Sequence, residues 1–137
     1  MSQSTNVYTG ATRSDARDEE SVITDGSVVH DVLIVLNSDD CREILELTTA
    51  EPRSVREIAE AGDLPLSTAY YKVNLLTDAG FLRETVRLSS TGNHVSEYAR
   101  AVDDVVVSVA ADGTLELVVR RTTPDDRTRV DASRRWR

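Results

Sequence analysis

Pro52-Arg53-Ser54-Val55-Arg56-Glu57-Ile58-Ala59-Glu60-Ala61-Gly62-Asp63-Leu64-Pro65-Leu66-Ser67-Thr68-Ala69-Tyr70-Tyr71-Lys72-Val73-Asn74-Leu75-Leu76-Thr77-Asp78-Ala79-Gly80-Phe81-Leu82 reads as two short helices joined by a tight turn. Ser54 and Glu57 stand at capping-box spacing, which starts a helix at Val55 with a cap worth roughly 1 kcal/mol. Gly62 is expected to stop it. Beyond Asp63-Leu64-Pro65-Leu66, Ser67 is expected to cap a second helix over 67–79, in which Ala69, Val73 and Leu76 recur at i, i+4 and i+7. The face opposite those three carries Thr68, Tyr71, Lys72 and Asn74, with Tyr70 assignable to either side.

The sequel narrows the choice of fold. Phe81 to Leu88 has the residue types of a strand, Ser89-Ser90-Thr91-Gly92-Asn93 is turn chemistry, and His94 to Arg100 can return as its partner. A β-hairpin directly after the second helix of such a pair is a wing. The fold class implied is therefore α+β: a winged helix-turn-helix of three to four helices, its wing at about 83–100.

Upstream, Val29, Val32, Leu33 and Leu36 fall on one helical stripe, predicting a helix over about 28–36 with Ser27 as its cap, although the β-branched density there leaves a strand open. In a dimer this helix would serve as an interface. His30 lies within it and is expected to be a packing or surface residue. Asn37-Ser38-Asp39-Asp40 breaks the pattern; Asp40 and Glu43 repeat the capping-box spacing, and Cys41, Ile44, Leu45 and Thr48 form the inner stripe of a helix over about 41–50. Residues 1–26, rich in Ser, Thr, Asp and Glu, are expected to be a disordered acidic tail.

Composition bounds the partners. Among 137 residues the formal net charge is −8, which by itself argues against a polyanion such as duplex DNA. The acid is unevenly spread: residues 1–53 hold 4 basic and 11 acidic groups, whereas residues 54–100 hold 5 and 6. Of 16 basic residues 15 are arginine, and Lys72 is the single lysine. Such acidic, lysine-poor composition resembles that of salt-accumulating archaea, where at molar salt the Debye length falls to about 3 Å and repulsion from DNA is screened. No run of 18 apolar residues suggests a membrane span, and the N-terminus has no basic and apolar leader, so a cytoplasmic location is expected.

The run Asn37 to Leu45, then Val55-Arg56-Glu57-Ile58-Ala59, then Leu66 to Lys72, then Leu75-Leu76-Thr77-Asp78-Ala79-Gly80-Phe81-Leu82, resembles the winged helix-turn-helix of ArsR-like transcriptional regulators, haloarchaeal type. The resemblance covers about residues 28–100. It implies a homodimeric, sequence-specific regulator binding double-stranded DNA, with helix 67–79 in the major groove and the wing on the backbone or minor groove. Metal-sensing members carry a cysteine pair on the first helix of the motif; Val55 to Ala61 hold none. One cysteine and two distant histidines do not make a soft-metal ligand set, so neither metal nor cofactor is expected.

Beyond the wing, Val105, Val107 and Val109 alternate with other residues, as do Leu115, Leu117 and Val119, around Asp112-Gly113. That predicts a second hairpin, about 104–110 and 114–121, closed by a two-residue type I′ turn. Its apolar face needs a cover, on the wing sheet, on the helices or across a dimer. The domain is thus expected to span 27–121, followed by a polar tail over 122–137 that ends Arg134-Arg135-Trp136-Arg137.

No nucleophile elbow, phosphate-binding glycine loop or paired metal ligands appear, so an enzyme is not expected. The residues expected to meet DNA are Ser67 and Thr68 on phosphates, Tyr71, Lys72 and Asn74 on bases, and Arg87, Ser90, Thr91, Asn93 and His94 from the wing. Lys72 would donate to guanine and Asn74 would pair with adenine. Cys41, in the first turn of its helix, is a candidate redox switch if two protomers bring their thiols together. The competing function is a winged helix used as a protein-interaction module without DNA.

Overall fold

A computed structural model describes residues 18–122, with the order β1 (Asp18–Ile23), α1 (Gly26–Leu36), α2 (Asp39–Leu47), α3 (Val55–Gly62), α4 (Leu66–Asp78), β2 (Leu82–Leu88), β3 (His94–Arg100), β4 (Val102–Val109) and β5 (Leu115–Thr122). The described residues form two compact units, one of residues Val32–Ala101 and one built from described residues on either side of it. The winged helix-turn-helix with an additional C-terminal hairpin is the fold observed.

In the unit Val32–Ala101 the expected stripes are the core. Cys41, Ile44, Leu45 and Thr48 of α2 and its end are buried, as are Val55, Ile58 and Ala59 of α3. Ala69, Val73 and Leu76 of α4 are wholly shielded, and Phe81, just past the left-handed Gly80, closes the set. The Ser54–Glu57 capping box forms in both directions: Glu57 N–H donates to Ser54 Oγ at 3.1 Å and Ser54 N–H to Glu57 Oε1 at 2.9 Å.

Four caps or stops differ from the sequence expectation, for local reasons. Helix α1 starts at Gly26, because Asp25 Oδ1 accepts from the N–H of Ser27 and Val28, which leaves Ser27 as a partner of the cap rather than the cap. Helix α2 starts at Asp39 and ends at Leu47, because Ser38 Oγ takes the Cys41 N–H; Asp40 and Glu43 lie inside the helix. The left-handed residue that ends α3 is Asp63 (φ 56°), with Gly62 still helical. Helix α4 begins at Leu66 behind Pro65 with no side-chain cap, since Pro65 supplies the extended backbone two residues before Ser67 could cap.

Strands β2 and β3 form a two-stranded antiparallel wing with Leu82 opposite Arg100 and Leu88 opposite His94. Its base is anchored by a bridge the sequence did not reveal: Arg53 N–H donates to the Tyr98 carbonyl (3.0 Å) and Tyr98 N–H returns to the Arg53 carbonyl (2.8 Å).

The second unit is a three-stranded antiparallel sheet in the order β1-β5-β4. Strand β1 corrects the expected disorder of residues 1–26 over Asp18–Ile23: β5 offers a hydrogen-bonding edge, and Ile23 meets Leu117 across it. The remainder of that tail, residues 1–17, and residues 123–137 of the expected C-terminal tail lie outside the described residues. Strands β4 and β5 pair Val105 with Val119, Val107 with Leu117 and Val109 with Leu115, as the alternation predicted. The turn is different. Ala110 accepts from the Gly113 N–H and donates to the Thr114 carbonyl, both at 2.8 Å, and only Gly113 of the loop has positive φ. This is a three-residue loop with glycine at the left-handed position, where type I′ would require Asp112 to be left-handed as well.

Candidate nucleic-acid interface

Helix α4 turns about 100° per residue, so taking Ala69, Val73 and Leu76 as inward fixes where the others point. Ser67, Tyr71, Asn74 and Asp78 fall within about 50° of the opposite direction. All four are exposed, Tyr71 by 61%. Tyr70 and Lys72 lie on opposite flanks. Tyr70 is 53% exposed, which settles its assignment in favour of the surface.

Lys72 and Thr68 share the flank towards α2 and are only half-exposed. Lys72 Nζ lies 3.4 Å from Ser38 Oγ and 5.9 Å from the centre of the Tyr71 ring. The single lysine is thus turned to the start of α2, where Ser38 is already the cap. Of the residues expected on bases, the outward sector gathers Tyr71 and Asn74, with Ser67 beside them, and places Lys72 at its margin.

The uncapped start of α4 bears on phosphate binding. Its first N–H groups have no side-chain acceptor, so the positive end of the helix dipole is open to an anion next to the exposed Ser67 hydroxyl.

On the other flank an open groove runs between α3, Tyr70 and the wing, lined by Arg56, Glu60, Tyr70, Arg87, His94 and Tyr98 among others. Arg87 is half exposed and pairs with Glu97 at 2.8 Å, so its charge is shared with the wing's own carboxylate. Ser96 donates to Glu84 Oε2 at 2.7 Å. Partial burial, and then the neighbouring Glu84 carboxylate, push the Tyr98 hydroxyl above its ordinary pKa, so it remains a donor. Sequence reasoning passed over Tyr98 because strand alternation alone did not show which side of the wing faces the helices.

At the wing tip Ser90, Thr91, Asn93 and His94 are exposed together. Gly92 (φ 91°) gives its N–H to the Ser89 carbonyl, and Ser89 Oγ takes the Asn93 N–H at 3.2 Å. The loop's internal bonds leave its outward polar edge to solvent.

Cys41 is 1% exposed on the inner stripe of α2. An oxidant or a second thiol would reach it only with that helix displaced. Among the described residues no helix is long and apolar enough to cross a membrane, and no three His, Cys, Asp or Glu side chains gather as a metal-binding set.

Residues 36–85 match the family model of a helix-turn-helix domain, a stretch running from the end of α1 into the wing. A search of curated proteins finds no match to the chain. Among solved structures, the chain is similar to the homodimeric winged helix-turn-helix DNA-binding domain of a possible ArsR-family transcriptional regulator from Mycobacterium bovis. The identity is 26% over 54% of this chain, with a TM-score of 0.44. The match spans 64% of that domain's own length.

Proposed function

We propose that this protein is a DNA-binding transcription regulator, of the ArsR-like kind and haloarchaeal type, that acts as a homodimer. The observation that carries the proposal is α4: a helix whose inward stripe is wholly buried while its outward face is a continuous polar and aromatic strip with an uncapped, anion-ready start. Such a strip has no role in the core. The wing completes the reading, with Ser90, Thr91, Asn93 and His94 reaching the backbone or minor groove and Arg87 a phosphate. Thr68 and Lys72 belong at the edge of the contact, on phosphates. One recognition helix spans only a few base pairs, so two chains on two half-sites give an operator of useful length. The net charge of −8 suits a protein that works where salt screens its repulsion from DNA.

Ser67→Glu tests this with folding held apart from binding. A carboxylate in the first turn of α4 stabilises the helix by roughly 0.3–1 kcal/mol, yet repels a phosphate at the same place. The full chain, assayed on genomic DNA fragments at molar potassium chloride, should retain discrete fragments. The variant should lose them by tenfold or more while melting no lower. A wild-type chain that retains no DNA would leave the winged helix as a protein-interaction module.

A further inference from the structure

The outward sector of α4 carries no cation. Ser67, Tyr71 and Asn74 form its N-terminal and central part, and Asp78 is the last helical residue. The one lysine on the helix points to Ser38. The commonest specific contact to duplex DNA is arginine or lysine donating to both acceptors of guanine, and this helix has nothing on its outward face to make it. What it presents is an amide, which pairs with the donor and acceptor edge of adenine, beside an aromatic ring that packs on the methyl group of thymine. The side chain of Asn74 has no hydrogen-bond partner among the described residues, so both its donor and its acceptor are available. Asp78 would suit cytosine, but recognition helices read with their N-terminal residues, and Asp78 stands one turn beyond Asn74 at the far end.

We propose that the half-site this helix recognises is centred on A·T base pairs, with Asn74 pairing adenine, Tyr71 on the adjacent thymine methyl, and Lys72 on a phosphate at the edge of the contact. This rests on the DNA-binding reading above and adds the class of sequence bound. It separates two groups that sequence spacing places together: Asn74 specifies, whereas Lys72 does not read a base.

The experiment is selection of binding sites from a random duplex library by the full chain at molar potassium chloride, repeated with Asn74→Ala and Lys72→Gln. Alanine at an exposed helical position keeps α4 folded. The wild type should enrich a half-site with a fixed A·T pair, the Asn74→Ala variant should lose preference at that pair by about tenfold to a hundredfold, and Lys72→Gln should weaken all sites alike. A fixed G·C pair whose preference disappears in Lys72→Gln would overturn the inference, as would an A·T preference that Asn74→Ala leaves intact. DNA retained with no enriched sequence would overturn it too while sparing the DNA-binding reading. No DNA retained by the wild type removes that reading first, and this inference with it.

Discussion

The two hairpins are built alike and used differently. Strands β2 and β3 have 7 residues each and β4 and β5 have 8. Both turns are three-residue loops ending in a left-handed glycine, Gly92 at φ 91° and Gly113 at φ 90°. In each, the residue before the loop accepts from the glycine N–H and donates to the carbonyl just after it. Yet the distal wing from Glu84 to Leu88 is exposed throughout, while Leu117, Val118 and Val119 of β5 are 0–3% exposed. The difference lies in the company each hairpin keeps. Strand β5 is flanked on both sides, by Ser21 and Ile23 of β1 and by Val105 and Val107 of β4, whereas the wing is two strands wide beyond its Arg53 bridge. Burial follows the central place of β5 in its sheet, since the edge strand β4 of the same hairpin leaves Val107 48% and Val109 69% exposed.

The sharpest way to break this comparison is to truncate one leucine in each. Leu117→Ala should destabilise the protein by about 2–5 kcal/mol, a large part of a total of about 5–15 kcal/mol, because a fully buried side chain is replaced by a cavity. Leu88→Ala, at a residue 71% exposed, should stay within about 0.5 kcal/mol. Urea unfolding of the two variants measures both. Equal losses would mean that the wing is packed as tightly as the sheet.

A smaller effect comes from the shared glycines. A Cβ at Gly92 or at Gly113 meets nothing within 4 Å, so the cost of alanine is the left-handed backbone alone, about 1–2 kcal/mol. The local cost is the same, but its expression should differ. Gly113→Ala should lower global stability by about that amount, because its strands unfold with the sheet. Gly92→Ala should mostly loosen the wing tip, seen as faster amide exchange at Asn93 and weaker DNA retention at nearly unchanged melting.

The same contrast explains what was legible in the sequence. A stripe such as Ala69, Val73 and Leu76 reports its own face because period and burial are one signal, whereas Val105, Val107 and Val109 alternate as a strand should and yet leave Val107 48% and Val109 69% exposed. The caps were legible where both partners lie three residues apart, as in Ser54 and Glu57. They were misassigned where neighbouring residues compete, as Ser38 does with Asp40 and Asp25 with Ser27. Strand β1 was hidden because Asp-Glu-Glu-Ser-Val-Ile is polar enough to read as tail; its order depends on the edge that β5 presents about a hundred residues later. On α4, spacing placed Asn74 and Lys72 in one polar set. Lys72 is separated from it by Ser38, which is 34 residues away in sequence.

The smallest expected effect distinguishes the turns by what holds them. Asp112 Oδ1 accepts from Thr114 N–H at 3.0 Å and from its hydroxyl at 2.8 Å, so the turn of the C-terminal hairpin depends on a carboxylate. The wing uses Ser89 Oγ for the same task, accepting from Asn93 N–H, and a serine hydroxyl does not titrate in this range. The Thr114 backbone bond first, and then its hydroxyl, hold Asp112 below its ordinary pKa of 3.8. A depressed folded pKa contributes stability that is fully present above 3.8 and is lost as pH falls through the lower folded value. Asp25, held down by Ser27 at the start of α1, behaves the same way, so global unfolding cannot separate the two. Residue-resolved amide exchange can: acidification below 3.8 should raise exchange at Thr114, after correction for the intrinsic rate, and leave Asn93 unaffected. In Asp112→Ser the C-terminal turn should become as indifferent to acid as the wing. An acid response that persisted there would place the sensitivity in the strands and not in the turn.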